Sequence, residues 1–247
     1  MKRFGVIGLG SVGWSIVHGL SKYFAYTHYD IEGDYNWKEI LSSNILFICV
    51  STPLGKGTKL DCSAVDSVLN RLNVDGYNGI IVIKSTLKVG FMKESRKRYP
   101  FLRITYMPEF LRERNCFSWF LNPSRIVISG YEEDISLVLS YFEWVKNTEI
   151  LIVDDISAEI GKLAHNAFIA TKVSFTNEIE TICQENNAKS LDVMKIVWTD
   201  KRVKSSDHLT PGLGPYGGKC VPKDTIELIN YQKFNFYLFY ISKETFS

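Results

Sequence analysis

The chain has 247 residues, 45% hydrophobic and 13% aromatic, with 29 Lys and Arg against 27 Asp and Glu for a formal net charge of +2. That length suits one large domain or a principal domain with a smaller one, and so balanced a charge excludes an electrostatic case for nucleic acid or a membrane surface as partner. The five cysteines, Cys49, Cys62, Cys116, Cys183 and Cys220, are odd in number and form no Cys-x-x-Cys pair, so neither a disulfide framework nor a metal site is indicated. The opening Met-Lys-Arg-Phe runs straight into Gly-Val-Ile-Gly and reads as a first strand, not a signal peptide. Apolar runs such as 45–50 and 236–241 are too short to span a bilayer. A cytoplasmic protein with reduced thiols is expected.

In chain order, a short apolar strand at 4–7 precedes a helical pattern at 11–23. Strand patterns follow at 25–29, 45–50, 80–83, 104–107, 126–129 and 150–153, with helical patterns at 64–72, 91–98 and 133–145. From residue 157 the character changes. Ser157 can cap a helix running from 158 to about 185, with Ile160, Leu163, Ala164, Ala167, Phe168 and Ala170 along one broad face. A further helix at 191–198 precedes a Gly/Pro-rich loop over 204–222.

Gly8-Leu9-Gly10-Ser11-Val12-Gly13 lies between the first strand and the first helix, the context that gives a G-x-G-x-x-G pattern meaning. Glycines there permit a tight turn and close approach of a pyrophosphate, whose charge sits at the helix N-terminus. Asp30, ending the second strand, can accept hydrogen bonds from an adenosine ribose and would repel a 2′-phosphate, which favours NAD over NADP. A packing glycine turn with a solvated Asp30 is the plainer alternative. Alternation of strand and helix to residue 155 implies an α/β fold: a doubly wound, Rossmann-type, mostly parallel sheet over 1–155, followed by a smaller all-helical domain over 156–247.

Three clusters could carry chemistry. Ser51-Thr52-Pro53, Lys84-Ser85-Thr86 and Met107-Pro108-Glu109-Phe110-Leu111-Arg112-Glu113 all follow strands, where doubly wound folds bind ligands. Thr52 and Thr86 can face a cofactor or position a water; Glu109 and Glu113, four apart, could supply a base, or pair on the surface with Arg112 and Arg114. Lys162 and Asn166 share a helix face and can both donate to an oxyanion, or stand as an ordinary surface Lys and a capping-type Asn, while His165 falls one step off that face. In Gly217-Gly218-Lys219-Cys220-Val221-Pro222-Lys223-Asp224, Cys220 is either a nucleophile or a structural thiol beside a glycine turn.

Taken in order, Gly8–Gly13, Ser51-Thr52-Pro53, Lys84-Ser85-Thr86, Pro108–Glu113, Pro123-Ser124-Arg125-Ile126-Val127, Lys162-x-x-x-Asn166 and Gly217–Asp224 resemble the UDP-glucose/GDP-mannose dehydrogenase family over nearly the whole chain. The run 216–225 looks most like its UDP-glucose 6-dehydrogenase branch. The resemblance implies NAD-dependent, four-electron oxidation of a nucleotide sugar, UDP-glucose to UDP-glucuronate, through a thiohemiacetal and thioester on Cys220. It implies that Asp224 holds the thiol or a water, that Lys162 and Asn166 stabilise the oxyanions, and that Glu113 or Glu109 with Thr86 activates the hydrolytic water. Phe110, Leu111 and Gly217 would line the substrate, and Arg202 would reach a neighbouring subunit's substrate.

Members of that family continue past the cysteine loop into a long helix and a second α/β domain that grips UDP. This chain stops at Ser247, so the resemblance implies a homodimer or a partner supplying the C-terminal domain, and an apolar 234–239 stretch left to be covered. Two further departures are an abbreviated segment between Asp30 and Ile45 and Lys88 in place of a common proline. A catalytically silent NAD-binding remnant or subunit of a split dehydrogenase, and a β-hydroxyacid-type dehydrogenase, are the alternatives; the loop around Cys220 argues against the last.

Overall fold

A computed structural model describes residues 2–55, 57, 59–111, 115–200, 203, 212 and 214–232. Glu113, Arg202 and the 234–239 stretch lie outside the described residues.

Runs of Ile, Val and Phe make the central strands because branched and aromatic side chains fit a pleated surface buried on both faces. β1 (Arg3–Ile7), β2 (Ala25–Tyr29), β3 (Ile45–Ile48), β4 (Ile80–Ile83) and β5 (Arg103–Tyr106) form one sheet in the order β2-β1-β3-β4-β5. Every pairing in it is parallel. β6 (Arg125–Ile128) and β7 (Glu149–Ile152) pair in parallel separately, joined to β5 by an antiparallel bridge between Tyr106 and Ser129. The fold is the expected Rossmann-type α/β sheet, followed by helices.

The register decides where the chemistry can sit. Ile7 pairs with Tyr29 and Ile48, Ile48 with Ile83, and Ile83 with Tyr106. The residues just after these, Gly8, Asp30, Cys49, Lys84 and Met107, therefore emerge along one carboxyl edge. The strand order reverses between β1 and β3, and that crevice is where such sheets take a dinucleotide.

Alternate residues Phe4, Val6, Ile45, Phe47, Ile80 and Val82 form one buried cluster with Ile16, Val17 and Leu20 of α1 (Ser11–Leu20). Phe120 of α5 (Cys116–Leu121) and Ile135 and Val138 of α6 (Glu132–Leu139) complete that layer. Leu46, Ile48, Ile81 and Ile83, one residue out of phase, are equally buried and point to the opposite face. α3 (Ser63–Val74) buries Val65, Leu69 and Leu72, and α4 (Phe91–Arg98) buries Phe91 and Met92.

Several local expectations are corrected. α2 (Trp37–Ile40) and α5 are too short to show a helical period in sequence; α2 starts at Asn36, whose side chain accepts the Lys38 amide. α6 ends at Leu139 and not at 145, because the chain turns there to drop Tyr141 and Phe142 into the core. α7 (Asp155–Glu185) is capped by Asp154 and not by Ser157: its carboxylate accepts the Ser157 amide at 2.8 Å and the Ser157 hydroxyl at 2.6 Å. Phe168, counted on the apolar face of that helix, is 64% exposed.

The chain divides into two compact units, Met1–Gly55 with Leu60–Lys162, and Lys56–Lys59 with Leu163–Ser247. The first turns of α7 belong to the sheet unit for a visible reason. Asp155 accepts two hydrogen bonds from Arg96 and one from Ser129, and buried Glu159 accepts the amides of Gly90 and Met92 at the start of α4. In the second unit the described elements are helical: the rest of α7, α8 (Ser190–Thr199) and α9 (Val221–Gln232). Leu163, Ala167, Ala170, Val173, Cys183 and Met194 are its buried apolar residues on α7 and α8.

Candidate active site

The glycine loop is built for close approach. Gly8 has φ +95°, and a Cβ there would lie 2.7 Å from the Cys49 carbonyl carbon. A Cβ on Gly13 would lie 2.0 Å from the Gly8 oxygen, so the turn into α1 closes only with glycine at 13. Gly10, by contrast, faces open space. It stands at the N-cap of α1, which has no side-chain cap and no acid in its first turn, so amides of the Ser11-Val12-Gly13 turn remain available to an anion.

Asp30 stands beside this loop. Its Oδ2 accepts the Leu9 amide at 2.6 Å and its Oδ1 the Glu32 amide at 3.1 Å. Each oxygen keeps a lone pair for a ribose hydroxyl. Thr52 and Thr86 are both buried in the loops after β3 and β4, which are tied together by the Ser85 hydroxyl donating to the Val50 carbonyl at 2.7 Å. Glycines that admit a pyrophosphate, an uncapped helix start and a carboxylate at the ribose position fit NAD.

Farther along the same edge, Lys84 Nζ lies 2.9 Å from Glu109 Oε2, and Glu109 Oε1 accepts the Phe110 amide at 2.8 Å. Glu109 thus pairs with Lys84, the residue that follows β4; Arg112 and Arg114 lie outside the described residues. Cys49 joins this cluster, its thiol pushed far up by burial against the opposing effect of the Lys84 charge. The Phe110 ring carries two cations, Arg125 at 4.2 Å and Lys162 at 5.1 Å from its centroid. Leu111 packs its side chain against the sheet core. The sequence motifs contained Lys84 and Arg125 but assigned a role to neither, while Phe110 and Lys162 were named for one. For Lys84 a signal existed: a charged residue set flush against the end of a fully apolar strand.

In the second unit, Cys220 is exposed immediately before α9, following Gly218 at φ +80°. The Asp224 amide donates to the Cys220 carbonyl at 3.1 Å, so these two residues share the first turn. The Asp224 side chain is fully buried; its Oδ2 accepts the Asn166 amide group and its Oδ1 meets Lys223 Nζ at 2.6 Å. Asn166 Oδ1 in turn lies 3.1 Å from His165 Nδ1. Asn166 is therefore engaged with Asp224, a link its position on the helix did not reveal, and Lys223 is a member the sequence reading passed over. Gly217 is exposed with open space around it. Among the described residues no cluster of three or more His, Cys, Asp or Glu could hold a metal ion, and no helix is long and apolar enough to cross a membrane.

Fold and loop together define a dinucleotide-binding α/β protein of the NAD type. The NAD-binding domain of the UDP-glucose/GDP-mannose dehydrogenase family matches residues 16–145, and the central domain of the same family matches 156–244. The chain belongs to that family. It is 32% identical over 217 residues to a UDP-glucose 6-dehydrogenase of Campylobacter jejuni, covering 85% of this chain and 54% of that protein. With UDP-glucose 6-dehydrogenase TuaD of Bacillus subtilis it shares 33% identity over 204 residues, 78% of this chain and 43% of that one. The chain spans about half the length of these relatives. Its fold superposes with a TM-score of 0.85 on a UDP-glucose dehydrogenase from the hyperthermophilic archaeon Pyrobaculum islandicum, at 24% identity, over 94% of this chain and 64% of that one.

Proposed function

We propose that this chain carries the NAD-binding and catalytic parts of a UDP-glucose 6-dehydrogenase, active as a homodimer or with a partner that supplies a UDP-gripping domain. The observation that carries the proposal is the Cys220 turn: an exposed thiol at the head of α9, with the aspartate four residues on buried and held by Asn166 and Lys223. A purely structural cysteine would be expected in the interior.

The chemistry runs from the sugar's primary alcohol to a carboxylate. NAD, when bound, accepts a hydride in each of two oxidations. The chain's own residues do the rest. Lys162 offers a positive charge to the alkoxide as the alcohol loses its proton to solvent. Cys220 adds its sulfur to the aldehyde carbon, giving a thiohemiacetal whose oxidation leaves a thioester; the covalent bond divides a difficult oxidation into easier steps. Asn166 and Asp224 orient the turn that carries the sulfur. Water then adds to the thioester carbon and the C–S bond breaks; one water proton ends on Cys220 and one in solvent. Glu109, with Thr86, orients that water. Glu113 and Arg202 keep the hydrolytic and neighbouring-subunit roles that the resemblance implies for them.

Purified protein incubated with UDP-glucose and NAD should form two NADH per sugar, followed by absorbance, and Cys220→Ala should abolish the full reaction. Saturable NAD binding without any turnover would overturn activity of this chain by itself as a homodimer, and turnover would then be sought with the partner domain added.

A further inference from the structure

Lys84 has no assigned part in this chemistry, yet its surroundings are unusual. It follows the apolar run Ile80–Ile83, and its side chain is 3% exposed. Among the described residues its ammonium pairs with one carboxylate, Glu109 Oε2 at 2.9 Å, and the Glu109 side chain is 16% exposed. Removing an ammonium and a carboxylate from water costs several kcal/mol per ion before pairing, and an apolar pair of similar volume often serves stability as well or better. Closing the sheet does not call for these charges.

What the pair does is geometric. Glu109 Oε2 is held by Lys84 just past β4, and Oε1 is held by the Phe110 amide at 2.8 Å. A carboxylate offers about four lone-pair sites, so two anchors leave acceptor sites open while removing rotation about the terminal bond. The anchoring residues emerge from adjacent strands in register, Ile83 opposite Tyr106, at the carboxyl edge where ligands bind. Cys49, beside both charges, is kept a neutral thiol by burial and does not compete as a second anion for Lys84.

We infer that Lys84 is a positioning residue, fixing Glu109 as an aimed acceptor for a proton of the hydrolytic water. This rests on the proposed dehydrogenase function. Lys84 itself exchanges no proton in the step, and Glu109 relays one water proton and ends the cycle unchanged.

The test compares Lys84→Met and Lys84→Arg in the full chain, with NAD binding and circular dichroism as fold controls; Lys84→Gln replaces the Met variant if that one does not fold. Crystal structures with NAD should show the Glu109 carboxylate displaced in the Met or Gln variant and retained in Lys84→Arg. With UDP-glucose, the neutral variant should lose roughly 100-fold in kcat with little change in KM. Intact-protein mass spectrometry should then find the sugar thioester accumulated on Cys220, and Lys84→Arg should recover most of the rate. An unmoved Glu109 in the neutral variant overturns the inference. So does a slow variant that accumulates no thioester and is not rescued by arginine, since that marks a merely structural lysine. If the wild-type chain by itself turns over no sugar, its activity as a homodimer falls, and the Glu109 position alone decides whether Lys84 fixes it.

Discussion

In the proposed function, cofactor binding turns on Gly13 and Asp30. A methyl at position 13 would sit 2.0 Å from the Gly8 oxygen, so Gly13→Ala must open the turn that aims the α1 amides. Asp30 braces the same loop through the Leu9 amide. A hydrogen bond to a charged acceptor contributes about 1.5–3 kcal/mol, and each 1.4 kcal/mol is about tenfold in affinity. Asp30→Ala should therefore weaken NAD binding about tenfold or more, and Gly13→Ala should weaken it further, both read by isothermal titration calorimetry; unchanged affinity in either would remove that residue from the site. Gly13 was legible in sequence because its setting is local, a turn between a strand and the helix that follows; Asp30 was legible from its place at the end of the second strand. Lys84, Lys223 and the Asn166–Asp224 link were not. Asn166 and Asp224 are 58 residues apart, and no spacing rule connects them before the chain folds.

At the scale of elements, the clasp between α4 and α7 should answer to pH. Burial pushes the Glu159 carboxyl up to about 7, opposed by the Met92 and Gly90 amides that it accepts, with the charges of Asp155 and Glu94 adding to the rise. The folded chain thus binds this proton more tightly than the unfolded chain does. The stabilising contribution is fully present below the ordinary carboxyl range and is lost as pH rises through about 7. Melting temperature should fall by several degrees from pH 5 to pH 8 in the wild type relative to Glu159→Gln. That variant is expected to be less stable at pH 5, since an amide oxygen replaces a carboxyl while two backbone donors remain. Parallel pH profiles for the two proteins would refute the assignment. The long apolar-faced helix was predictable from its period. Its cap is local, between Asp154 and Ser157, but its tie to α4 was not legible, because Asp155 and Glu159 meet their partners only across the tertiary fold.

For the whole molecule, the question is what covers α7. Phe168, Phe175 and Ile182 recur every seven residues and are 64%, 41% and 53% exposed. That spacing sets them on one stripe of the helix, the arrangement through which helices pair. Sedimentation velocity over a dilution series should show self-association through this stripe, and Phe175→Lys should shift the population towards monomer; a wild-type monomer throughout would count against the homodimer. Sequence alone determined the strands and the longer helices between them, the glycine turn and the cysteine turn. Each is specified by neighbours within a few residues, where periodicity and backbone freedom act directly. Only the tertiary structure decided which charges are buried together: Lys84 with Glu109, Asn166 and Lys223 with Asp224, Glu159 with the amides of α4. An ammonium or carboxylate carries no local signature of its partner. Pairing follows from desolvation once parallel strands have brought their carboxyl ends into line, and that alignment belongs to the fold as a whole.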